Sequence, residues 1–173
     1  MKDNSLLPGE MKNSEFLHNL LADMAKRFIA IDGLWFQEVE KAYGMEKAID
    51  FDAAAWEKFS RSEAKRIMAL LELSPNGGLT SLKKALELRM NAFVNKQEII
   101  EVSENCLVLR KTNCWVQSAR KRKNMQEFPC MSVGLVENEC FASTIDHRIK
   151  TRCITCPPDD HPDEYFCAWE FSI

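Results

Sequence analysis

The chain has 173 residues, a formal net charge of −3, 46% apolar and 28% charged residues. That is long enough for one domain with a sizeable core and too apolar for disorder. The charge gives no general reason to expect nucleic acid or an anionic membrane as a partner, and no apolar run approaches the roughly 18 residues that a membrane helix needs.

The first ten residues, Met1 to Glu10, lack the apolar core of a signal peptide. A cytoplasmic location is therefore expected, where thiols stay reduced. Residues 1–12 read as a flexible N-terminus, and 13–173 as a single domain. Seven cysteines in such a setting point to metal ligands, reactive groups or small buried apolar residues rather than disulfides, and the odd count agrees.

Up to residue 95 the pattern is helical. Phe16, Leu20, Met24, Phe28, Ile31, Trp35 and Val39 recur at steps of three and four, which predicts one buried helix face. Asn13 or Ser14 is a suitable cap, Gly44 a suitable stop, and Gly33 a potential break. A second helix is predicted from Asp52, with Trp56, Phe59, Ile67, Leu70 and Leu71 on one side. The run Ser74-Pro75-Asn76-Gly77-Gly78 breaks the pattern. A third helix is predicted from Thr80 or Ser81, carrying Leu82, Leu86, Met90 and Phe93. The aromatic set Phe28, Trp35, Trp56 and Phe59 reads first as helix core and second as the lining of an apolar cavity.

From residue 96 the signals turn to strands. Ile99 to Val102 and Leu107 to Leu109, joined by Ser103-Glu104-Asn105, predict a hairpin. A short helix follows from Trp115 to about Lys123, and another is expected from about Met131 to Ala142. Ile149 to Ile154 and Tyr165 to Phe171 form a final strand pair. The fold class is α+β: N-terminal helices (13–95) packed on a four-stranded antiparallel sheet (96–173). Two hairpins make that sheet, with a helical insert between them.

Cys130, Cys153, Cys156 and Cys167 carry the chemistry. A Cys-x-x-Cys bend presents two sulfurs to one ion, and the hairpin brings Cys167 beside them. Cys130 would open a helix, where the positive dipole end favours a thiolate. Four thiolates close a tetrahedral shell on zinc, and an iron–sulfur cluster is the alternative cofactor. The rival reading is that these cysteines are plain core. His161 is a weaker ligand candidate: Cys153-x2-Cys156-x4-His161-x5-Cys167 is one residue longer than a zinc knuckle, lacks its glycines and is flanked by acids. Cys106 and Cys140 read as packing residues. Cys114 reads as core or as a reactive thiol beside a pocket. The basic run Arg120 to Lys123 reads as a solvated helix face rather than a phosphate site. Ser118, Asp146 and His147 have no triad spacing, and no phosphate loop or dinucleotide fingerprint is present.

These residues, from about Ile99 to Phe171, resemble the 4-vinyl reductase domain family. Cys130 matches its helix-opening cysteine, Cys156 the cysteine of its Glu-x-x-Cys, and Cys167 its last cysteine. Cys153 replaces the glutamate, and the hairpin loop is longer. The resemblance implies a zinc ion beside an apolar ligand pocket, and a homodimer. Cys114, Glu127, Cys130 and the closing Cys167-Ala-Trp169-Glu-Phe171 are also similar to the thiazoline-carboxylate hydrolase-like family. That similarity implies hydrolysis of a small cyclic amide-like substrate, with Glu127 carrying the proton. The expected function is thus a zinc-binding protein that takes a small apolar molecule between helices and sheet. The alternatives are a hydrolase, with Glu127 and Cys114 as candidates, or a protein-interaction adaptor.

Overall fold

The computed structural model describes residues 13–173, so the N-terminus expected to be flexible lies outside the described residues. Helix α1 spans Ser14–Tyr43. The Asn13 side chain accepts the Glu15 N–H at 2.9 Å, the expected cap. Gly33 does not interrupt the helix. Gly44 ends it with φ 86°, a left-handed conformation suited to glycine. The same residue launches α2, Met45–Leu70, so this helix starts well before Asp52.

The predicted buried face of α1 is corrected by the structure. Ala25 and Ile29 point inward, whereas Met24, Ile31 and Trp35 are 54%, 61% and 73% exposed. The large side chains of the expected face turn outward. Of the aromatic set, Phe28 stacks on Phe59 at 5.7 Å and Trp56 meets Phe59 edge-on at 5.3 Å. Leu70 is also exposed.

Helix α3 spans Gly78–Leu86. Met90–Phe93 form a separate 3-10 turn instead of continuing it, because Arg89 adopts an extended backbone that aims its side chain inward. Strands β1 (Gln97–Ser103) and β2 (Cys106–Lys111) form the first hairpin. Helices α4 (Trp115–Arg122) and α5 (Met131–Ile145) make the insert. Strands β3 (Lys150–Thr155) and β4 (Cys167–Ser172) close the chain. The sheet order is β1-β2-β4-β3, antiparallel throughout, so β2 pairs with β4 and joins the two hairpins.

The core lies between the sheet and α2, α3 and α5. Leu107 and Leu109 of β2 and Trp169 and Phe171 of β4 meet Leu82, Leu86, Phe141 and Ile145 there. Helix α5 crosses Trp169 so closely that a Cβ on Gly134 would stand 2.6 Å from its ring, which only glycine avoids. Among the described residues, no helix is long and apolar enough to cross a membrane.

One charged network runs through this interior. Arg89 is 2% exposed and lies over the Phe141 ring. Its Nε donates to Glu63 at 3.0 Å, Nη2 to Glu137 at 2.7 Å and Nη1 to the Asn138 side-chain Oδ1 at 3.2 Å. Glu63 also accepts the Met90 N–H at 2.8 Å, and Glu137 accepts the Asn91 amide at 2.7 Å. Arg89→Ala strands two buried carboxylates and should cost about 3–5 kcal/mol, read by chemical denaturation.

Candidate functional site

The sheet register gathers the predicted sulfurs at one end. Cys167 opens β4 opposite Lys111, the last residue of β2. Thr155 pairs with Ala168, so Cys156 emerges from β3 next to Cys167. Cys130 is the residue that precedes α5, and its N–H donates to the Pro157 carbonyl at 3.0 Å, which ties it to the Cys156 bend. Gln117 fixes the Cys130 side chain, donating to its Sγ at 3.1 Å, while that Sγ donates to the Phe128 carbonyl at 3.2 Å. Cys153 stands opposite Trp169, adjoining Cys156.

The electrostatics oppose the expected thiolate at Cys130. Burial, aided by Cys114 and Cys167, pushes its pKa up to about 12, outweighing any helix-dipole effect. Burial also raises Cys153, Cys156 and Cys167; for Cys156 the neighbouring Cys153, Cys130 and Cys167 add to it. These thiols are protonated at neutral pH, and a bound cation would have to displace their protons. Among the described residues, no three Cys, His, Asp or Glu side chains stand where they would hold one metal ion.

The other sequence candidates divide. His161 faces the Pro162 carbonyl, with Nδ1 at 2.9 Å, and rests against Phe166. Glu127 is exposed and does not line the cavity described next. Cys114, just ahead of α4, does line it. Arg120 departs from its expected place on a solvated face. It is 4% exposed, forms a two-pronged pair with Glu40 at 2.8 and 2.9 Å, and fastens α4 to α1. Asp146 bonds Arg148 and the Gly78 N–H, while His147 meets Asn76, so no triad forms.

A cavity of about 400 Å³ opens between α1, α2, α4, α5 and the sheet. Ile29, Phe36, Trp56, Trp115, Val133 and Trp169 supply apolar wall, and Cys114, Cys130 and Cys167 form a sulfur patch. Lys111 lines the cavity, and among the described residues its ammonium makes no ion pair or hydrogen bond. Burial, the largest single effect, works to lower its pKa, but the Glu137 carboxylate together with Cys167 and Cys114 outweighs it and the net shift is upward, so Lys111 stays charged. Asp32 and Asp52 lie on the same wall, likewise without an ion pair among the described residues. Burial and then Glu137 push Asp32 up to about 6; burial, then Asp32 and Glu137, push Asp52 up to about 7.

The chain matches a family of unknown function (DUF6125) over residues 10–173. It belongs to that family. Comparison with curated proteins and with solved structures gives no match.

In this DUF6125 chain, Lys111, Glu137, Asp32 and Asp52 escape sequence reasoning because they come from four separate elements. One signal was readable: Glu137-Asn138 directly follows the apolar run Val133 to Val136. The Asp52 shift has a defined sign. Its folded pKa of about 7 exceeds an unfolded value of about 3.9, so the folded state holds the extra proton between the two. Stability from this group is present at pH 4 and is lost as pH rises through 7. Asp52→Asn should therefore melt about 2–4 °C above the parent at pH 8 for each kcal/mol recovered, and match it near pH 4, by thermal scans at both pH values.

Proposed function

We propose that this protein binds a small, mostly apolar molecule carrying an acidic group, in the cavity between helices and sheet. The observation that carries the reading is Lys111, a charged ammonium on an otherwise largely apolar wall with no partner among the described residues. Glu137 does not serve as its direct partner: among the described residues no hydrogen bond or ion pair joins the two, and Glu137 Oε1 accepts from Arg89 and Asn91. A carboxylate on an occupant would meet the need, while the aromatic wall takes the apolar body. Asp32 and Asp52 would accept hydrogen bonds from a donor elsewhere on the molecule. With Glu127 outside the cavity, binding is better supported than hydrolysis. A cytoplasmic setting, with reduced thiols, suits the sulfur patch.

The test is a calorimetric screen of aryl and alkyl carboxylates against their amides. Carboxylates should bind and amides should not, and Lys111→Met should abolish the difference while Lys111→Arg restores part of it. Gly33→Leu should weaken binding with the fold intact, because Gly33 lines the cavity and nothing lies within 4 Å of an added Cβ. The proposal fails if no carboxylate binds, or if Lys111→Met leaves the preference unchanged.

A second reading is a structural zinc ion on Cys130, Cys153, Cys156 and Cys167. One observation favours it: the Cys156 thiol has the other three as neighbours. The thiols as placed do not form a shell, so uptake of zinc requires their side chains to turn inward as they lose protons. Elemental analysis should find about one zinc per chain, reduced by Cys156→Ser with a lower melting temperature; iron with visible colour would indicate a cluster instead. Protein free of both metals after purification without chelators would remove this reading and leave the cavity proposal standing.

A further inference from the structure

Helix α1 carries a second apolar face that the described residues leave largely exposed, although Phe28 rests in part on Phe59 of α2. Leu17, Leu21, Met24, Phe28, Ile31 and Trp35 recur at alternating steps of four and three. They are exposed by 40%, 53%, 54%, 42%, 61% and 73%. The buried pair Ala25 and Ile29 belongs to a different, inward face. A seam spaced four and three over this length is the pattern by which one helix packs on another, knobs into holes.

The seam is free of charge at all six positions. The adjacent Arg27 is neutralised on its own helix by Asp23 at 2.7 Å. At roughly 100 Å² for each partly exposed side chain of this size, the stripe and the neighbouring Leu34 offer on the order of 700 Å². That approaches the ~800 Å² per partner buried in standard stable interfaces. A seam with this repeat is complementary to another with the same repeat, which is the condition for a two-fold contact between identical chains.

We propose that two copies of this chain associate through the Leu17 to Trp35 face of α1. The interface is independent of the cavity, although Leu34 borders both. Light scattering during size exclusion, with the full chain at tens of micromolar, should give twice the 19.9 kDa of one copy. Met24→Glu with Ile31→Glu should return the mass to that of a monomer, with helix content and melting behaviour of a folded protein. Ile31→Lys alone should weaken the dimer at least tenfold on dilution and serves if the double variant folds poorly. A monomeric parent chain overturns the proposal, whether residues 1–12, lipid or another protein covers the face. A dimer that survives both variants overturns it too.

Discussion

A single buried guanidinium sets the terms for the rest of the interior. Arg89 bonds Glu63 of α2, Glu137 and Asn138 of α5, and stacks on Phe141, so three segments share one cation. Ions removed from water are tolerated only where geometry and hydrogen bonds compensate for lost hydration. Glu137 illustrates this: burial opposes its charge, but Arg89 and Lys111 outweigh burial and hold its pKa below the ordinary carboxylate range. The consequence reaches the cavity. Arg89 and Asn91 both bond Glu137 Oε1, and Lys111 feels that carboxylate without bonding to it.

The sulfur end and the cavity are parts of one construction. Cys130 and Cys167 contribute to both, since each lines the cavity and each neighbours Cys156. The Gln117 side chain spans the link between α4 and α5, accepting the Phe128 N–H at 3.0 Å and donating to its carbonyl at 2.8 Å. A change at the thiols would therefore be felt in the wall beside Trp115 and Phe128.

The sheet half was the more readable part of the sequence. Short apolar runs on either side of the Ser103-Glu104-Asn105 turn located both strands of the first hairpin, and the observed pairing agrees. The β3–β4 register brings the ends that carry Cys153, Cys156 and Cys167 together, and the Cys130 N–H bonds the Pro157 carbonyl beside Cys156. The α1 face was misjudged because two apolar stripes share one helix, and the larger side chains belong to the outer stripe. Gly44 was read only as a stop, whereas it also starts α2. Titration states were not legible at all: burial, a property of the assembled fold, decides the protonation of Cys130 and Asp52.

Helix α1 supplies Ile29, Asp32, Gly33 and Phe36 to the cavity, yet none of its residues belongs to the main hydrophobic cluster. It is joined to α2 through Gly44 and clasped to α4 by the Glu40–Arg120 pair. Elements outside the main core open at lower free energy than those within it. A displacement of α1 would therefore widen the cavity while leaving the main hydrophobic cluster of α2, α3, α5 and the sheet packed.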